Sequence, residues 1–261
     1  MRAPFPPILD ANATIEILSS RLSDGEVLIA FDADGTLWSG DVSDDVFLSA
    51  CSDQWLLGEA QPALAREAKR AGLDPAGSPS DLALSLFEAQ KLGSIAEVDL
   101  FAMMAWCYAG RTLEELLGYA SEVLTQKNLN ARVRTEVLQV LNWARGQGVH
   151  CFVVSASPSP IVAWAAGKWG FNPERVIGTV PCATNGVITP EITDGVPFGA
   201  HKCKLLKKRA GRMRWLSSFG DSEFDFEMLS EAEIAVGVQP KPNLLARLSS
   251  LSHAIVLKTE P

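Results

Sequence analysis

VLIAFDADGTLW, residues 27–38, is the stretch on which the fold turns. Five consecutive apolar residues, Val27 to Phe31, leave no polar face, which suits a strand covered on both sides within a parallel sheet. The run breaks off at Asp32 and Asp34, and Gly35 with Thr36 completes a tight polar turn. Working outward, comparable runs recur at 150–155, 175–180, 215–220, 233–238 and 253–257. Helical patterns lie between most of them, at 161–168, 202–209 and 224–229, after an N-terminal one at 12–22. Strand and helix in alternation predict an α/β architecture with helices on the faces of a parallel sheet.

The segment 41–130 breaks this rhythm. It contains no convincing strand and reads as an inserted helical module. Ser80 is expected to open a helix ending near Gly93, Ser94 another ending near Gly110, and Thr112 with Glu115 forms a capping box for a third. The breaker-rich loop 72–80 reads as a turn between these helices. Further on, Asn185-Gly186 between short β-prone runs predicts a hairpin. The expected division is therefore a core of 1–40 and 131–261 with a helical cap of 41–130.

A chain of 261 residues that is 47% hydrophobic and 21% charged can bury a sizeable core, which excludes disorder and coiled coil. Its longest apolar runs fall far short of the roughly 20 residues of a membrane helix, and residues 1–18 lack a leader's apolar segment. A cytoplasmic protein with no membrane partner is expected. The net charge of -8 offers no positive field for a nucleic acid backbone. None of the five cysteines forms a CxxC pair, so free thiols are expected rather than a disulfide frame or zinc site.

Several apolar strands and one helix start end in complementary polar groups. Asp32 and Asp34 follow the first strand, Ser155 ends the second, Lys202 opens a helix, and Asp221 with Asp225 follows the strand at 215–220. Ligands of open parallel sheets bind beyond the carboxyl ends of the strands, where these residues converge. Carboxylates, a hydroxyl and an ammonium at one edge call for a balancing ligand, and a hard divalent cation with a phosphoryl group supplies the balance. Lys204, Lys207 and Lys208 share the helix of Lys202; Lys202 is preferred because it comes first. Alternatives stand beside these readings: a strand-end hydroxyl for Ser155, and a first-turn acid favoured by the helix dipole for Asp225.

The segments FDADGTLW, VVSAS, GAHK and GDSEFD resemble, in order, the four motifs of the haloacid dehalogenase superfamily. The resemblance implies a Rossmann-like core, Mg2+ and an aspartyl-phosphate mechanism acting on a small phosphorylated metabolite. In that scheme Asp32 is the nucleophile and a metal ligand, and Asp34 is the general acid and base whose carbonyl also binds the metal. Ser155 holds the phosphoryl group, Lys202 neutralises charge, and Asp221 completes the metal site with Asp225 acting directly or through water. Gly35, Thr36, Asp41 and Ala156 are expected around the substrate.

Asp34 favours phosphoesters, because dehalogenases and phosphonatases of that superfamily lack an acid there. The SAS and GDSxxxD forms, with about 120 residues inserted between Asp34 and Ser155, are similar to the phosphoserine phosphatase branch. Asp41 stands where that branch carries Glu, and Phe224 where it carries Asn, so serine specificity is not implied. The alternatives are a phosphotransferase or phosphomutase, or a silent phosphate-binding protein. Bulky cap residues (Phe47, Trp55, Phe87, Phe101, Met103, Met104, Trp106, Tyr108) serve either a pocket or the packing of the cap.

Overall fold

Strands that carry apolar residues on both faces need a layer of helices on each side, and the computed structural model, which describes residues 5–260, supplies both. The strands are β1 (Ile8–Leu9), β2 (Val27–Phe31), β3 (His150–Pro158), β4 (Val176–Thr184), β5 (Val187–Thr193), β6 (Arg214–Gly220), β7 (Ile234–Val238) and β8 (Ala254–Leu257). They form one sheet in the order β1-β8-β7-β6-β2-β3-β4-β5, parallel except for the β4–β5 pair. All five residues of β2 are buried.

Successive β2 residues feed opposite layers. Val27, Ile29 and Phe31 join a cluster with helices α1 (Ala11–Arg21) and, further along, 135–146 and 159–167, through Leu18, Val140 and Ile161. Leu28 and Ala30 meet Leu206 and Met228 of the helices at 200–210 and 226–231 on the other face. Continuing in chain order, the helices are α2 (Val42–Ser52), α3 (Gln61–Arg70), α4 (Pro79–Lys91), α5 (Glu97–Trp106), α6 (Leu113–Gln126), α7 (Thr135–Gly146), α8 (Ser159–Gly167), α9 (Ala200–Ala210), α10 (Phe226–Glu231) and α11 (Pro242–Leu248).

The chain adds β3, β4 and β5 on one side of β2, then β6, β7 and β8 on the other. That reversal makes a crevice beside the end of β2, the place where such sheets bind ligands. Phe31 pairs with Val153 on one side and Phe219 on the other. Asp32, Ser155 and Asp221, each one or two residues further on, are thereby brought to a common edge.

Helices α2 to α6 lie between β2 and α7, and their apolar residues do not close a separate core. Phe47, Met104 and Leu116 belong to the same cluster as Phe31 and Phe219. The β4–β5 hairpin ties this helical segment down. Gly110 N donates to Ile188 O (3.0 Å), Ile188 N to Arg111 O (2.8 Å) and Leu113 N to Gly186 O (3.3 Å). Asn185 (φ 52°) and Gly186 (φ 82°) form the expected two-residue turn.

The Thr112–Glu115 capping box is present. The cap of α4 is Ser78, not Ser80: Ser78 accepts from Asp81 N, and Pro79 takes the first helical position, where its missing N–H costs nothing. Likewise α5 starts at Glu97 rather than next to Ser94, with no side-chain cap. All five cysteines are free. Among the described residues no helix is long and apolar enough to cross a membrane.

Candidate active site

At the end of β2 the ladder runs one residue further, with Asp32 N donating to Phe219 O at 2.9 Å. The chain then turns sharply, Thr36 N and Leu37 N both donating to Ala33 O (3.2 and 2.8 Å). Gly35 is required in this turn on two counts. Its φ is 82°, and a Cβ there would lie 2.5 Å from Asp221 Oδ2.

The Asp32 carboxylate, 6% exposed, is held at both oxygens. Oδ2 accepts from Thr36 Oγ1 (3.1 Å) and Oδ1 from Lys202 Nζ (2.6 Å). Lys202 Nζ makes a second 2.6 Å bond to Asp225 Oδ1. Asp225 is fully buried, and its Oδ2 accepts from Ser222 N (3.0 Å), Asp221 N (3.1 Å) and Ser222 Oγ (3.2 Å). Both of its oxygens are therefore engaged, and it acts as the anchor of the lysine and of the turn after β6. Burial works against the Lys202 charge, but the facing Asp225 and Asp32 carboxylates outweigh it and hold the ammonium above its ordinary range.

Asp221 is bonded at Oδ2 by Lys241 Nζ (2.9 Å), whose side chain is 62% exposed and can withdraw. One oxygen each from Asp32, Asp221 and Asp225 lie within 4.8 Å of one another. Burial, then the charge of Asp225, raises the proton affinity of both Asp32 and Asp221 despite the lysines. The cluster carries more negative charge than its partners balance. An all-oxygen donor set with surplus negative charge fits a hard divalent cation such as Mg2+, held by Asp32 and Asp221 with Asp225 positioning them.

Asp34 is half-buried, and its Oδ1 accepts from Trp38 Nε1 and Val42 N (2.8 Å each). Burial, then the charge of Asp41, pushes its carboxyl up to about 7, against the pull of these bonds and that of Ser157. Three oxygen contacts run in a row from it: Asp34 Oδ2 to Ser157 Oγ (2.8 Å), Ser157 Oγ to Ser43 Oγ (2.9 Å) and Ser43 Oγ to Asp41 Oδ1 (2.7 Å). Two hydroxyls bring two protons to three contacts. The third needs a proton on a carboxylate, and Asp34 is disposed to carry it.

Ser155, 2% exposed, accepts from Ser157 N (3.1 Å) and lines a cavity of about 350 Å³ together with Asp32, Lys202 and Ala156. Asp41 lines the same cavity and caps α2, accepting from Ser43 N and Asp44 N. Gly35 and Thr36 lie behind the carboxylates, where they shape the turn. Of the bulky helical residues singled out in the sequence, Phe101 lines this cavity, whereas Phe47 packs on Phe87 and Trp55 on Tyr108.

Ser157, Ser43, Trp38 and Lys241 were not foreseen. The first was legible, since residues two apart on a strand share a face and Ser155 was already assigned.

Asp44, in the first turn of α2, is pushed up to about 7 by burial, then by Asp41 and Asp45, with Lys91 opposing. Its folded value lies above the ordinary 3.8, so stability present at low pH is lost as pH rises from about 4 to about 7. Asp44→Asn is expected to stabilise the fold at pH 8 by about 1 kcal/mol after allowance for solvent screening, with no gain at pH 4. Thermal denaturation at the two pH values checks this.

A family model described as haloacid dehalogenase-like hydrolase matches residues 29–230. No curated protein matches the chain. Among solved structures it is similar to a protein of unknown function from Bordetella pertussis Tohama I, at 20% identity and a TM-score of 0.67, covering 90% of this chain and 99% of that one. A functionally unknown protein from Anaerococcus prevotii DSM 20548 is similar at 13% identity and a TM-score of 0.68, covering 98% and 94%. A substrate-bound phosphoserine phosphatase is similar at 14% identity and a TM-score of 0.54, covering 89% and 94%. At these identities the likeness is one of fold.

Proposed function

The chain belongs to the haloacid dehalogenase-like hydrolase family, and from that premise we propose that it is a Mg2+-dependent phosphatase of small phosphomonoesters, working through an aspartyl-phosphate on Asp32. The observation that carries this reading is the Asp32 carboxylate clamped by Lys202 (2.6 Å) and Thr36 (3.1 Å) at the floor of a cavity. A carboxylate needs no deprotonation before attacking phosphorus, which suits a nucleophile held beside an ammonium.

In the first step an Asp32 oxygen bonds to phosphorus as the ester P–O bond breaks, and Asp34 gives its proton to the departing alcohol oxygen. In the second, Asp34 takes a proton from water, whose oxygen attacks phosphorus and frees the Asp32 carboxylate and inorganic phosphate. A group titrating near 7 suits both transfers. Ser155, whose oxygen already accepts from Ser157 N, keeps its proton for a phosphoryl oxygen. Lys202 offsets the charge gathering on the phosphoryl group. A Mg2+ ion would be held by Asp32 and Asp221, with the Asp34 carbonyl as a further ligand, and would supply electrostatic stabilisation of the phosphoryl oxygens. Residues 41–130 act as the cap and 1–40 with 131–261 as the catalytic core, and recognition of the alcohol falls to the cap side.

Chelation is the direct test. p-Nitrophenyl phosphate turnover is expected to vanish in EDTA and return with added Mg2+. Full activity in metal-free buffer would overturn the reading. Turnover with water as sole acceptor separates a hydrolase from a phosphotransferase or mutase.

A further inference from the structure

The phosphatase reading leaves the alcohol unidentified, and the wall facing Asp32 bears on it. Resting on that reading, we propose that the substrate is the phosphomonoester of a cationic amino alcohol, carrying a primary or quaternary ammonium and no carboxylate. The phosphoryl end of the cavity is set by Asp32, Ser155 and Lys202. The remaining wall contains three phenyl rings: Phe101 on α5, Phe198 in the loop before α9, and Phe224 in the turn after β6. They form one chain, with centroids 6.1 Å apart between Phe101 and Phe198 and 4.2 Å between Phe198 and Phe224.

Asp41, Glu97 and Glu223 line the same cavity. They meet electrostatically: burial raises the Glu97 carboxyl, Lys241 opposes the rise, and Glu223 and Asp41 add to it. Glu223 accepts from Asn243 Nδ2 at 2.8 Å. Lys202 and Lys241 are the cationic side chains of the lining; Lys202 is committed to Asp32 and Asp225, and Lys241 pairs with Asp221 through a side chain that is 62% exposed.

Three carboxylates beside three aromatic rings, against one mobile lysine, leave surplus negative charge that makes a complement for an ammonium. The carboxylates supply charge, and the ring faces attract a cation and pack against its methyl or methylene groups. A neutral alcohol leaves the carboxylates facing one another. An alcohol with its own carboxylate, as in phosphoserine, adds a further like charge, so the site is matched against it as well.

Matched substrates test this with the intact protein and Mg2+. O-Phosphocholine is compared with its uncharged carbon isostere 3,3-dimethylbutyl phosphate, and O-phosphoethanolamine with O-phosphoserine; p-nitrophenyl phosphate reports the underlying phosphatase activity. The charged member of the first pair is expected to exceed the isostere in kcat/KM by about tenfold or more, and phosphoethanolamine to exceed phosphoserine by a similar factor. Glu97→Gln and Phe198→Leu are each expected to narrow the first ratio by about threefold or more. No turnover of p-nitrophenyl phosphate would overturn the phosphatase reading and this inference with it. Turnover of p-nitrophenyl phosphate with equal or inverted ratios would overturn the substrate class alone.

Discussion

Lys202→Met is expected to cut turnover by about 10³ or more and to lower the stability of the metal-free protein by about 3–5 kcal/mol. The side chain is 4% exposed and spends its charge on two buried carboxylates, Asp32 Oδ1 and Asp225 Oδ1, at 2.6 Å each. Without the ammonium these carboxylates face each other with no cation between them. Partial relief comes from proton uptake, which sets the sign of the pH dependence. A buried carboxyl with its folded pKa raised keeps full stability below its unfolded value and loses it as pH rises. The deficit of the variant should therefore be small near pH 4 and widen toward pH 8.

For catalysis, loss of one charge-stabilising donor in a buried site costs about 10²–10³ in rate, and Lys202 also orients the nucleophile, so a fall of about 10³ or more is expected. Lys204→Met is the control on the same helix, because Lys204 is exposed. It should leave both turnover and melting temperature unchanged. Equal damage from the two substitutions would show that the register of α9 is misassigned.

Much of this site was legible because each motif sits where a local pattern ends. VLIAF reads as a doubly covered strand, and the structure buries all five residues. Asp32 and Asp221 then follow from where apolar runs stop, and the parallel register aligns those stops. What escaped the sequence joins distant segments. Ser43 reaches Ser157 across 114 positions, and Lys241 meets Asp221 from the loop before α11. No periodicity reports which of several lysines or serines turns toward a carboxylate on another element.

The aromatic residues of the helical segment show the same limit. Phe101 and Phe87 occupy equally helical surroundings, yet one lines the cavity and the other packs tilted against Phe47 with ring centroids 5.3 Å apart. Helical spacing is the same whether a face meets a neighbouring helix or a substrate. The Ser78 cap is legible in the sequence: Ser-Pro-Ser-Asp carries a first-turn proline and an acid at the third position, both starting signals.

Asp34→Asn is expected to accumulate a phosphorylated protein from p-nitrophenyl phosphate, and Asp32→Asn never to do so. The asparagine at 34 is close to isosteric. Its oxygen can still accept from Trp38 Nε1 and Val42 N, and its amide can donate toward Ser157 Oγ, which then turns its proton to Ser43. The turn thus survives while the transferable proton is lost. p-Nitrophenolate departs without a proton, so Asp32 is still phosphorylated. Attack of water on the aspartyl phosphate lacks its base and slows by about 10²–10⁴. The second step becomes slower than the first, and the intermediate builds up.

An amide at 32 has no nucleophilic oxygen to offer, and its loss of charge frees Lys202 toward Asp225 alone, so no covalent species can form. Rapid acid quench followed by intact-mass measurement reads the difference as one added phosphoryl group. Equal phosphorylation of the Asp32→Asn variant would place the nucleophile elsewhere. Phosphoprotein in neither variant, with turnover intact in Asp34→Asn, would show that Asp34 is not the base of the second step.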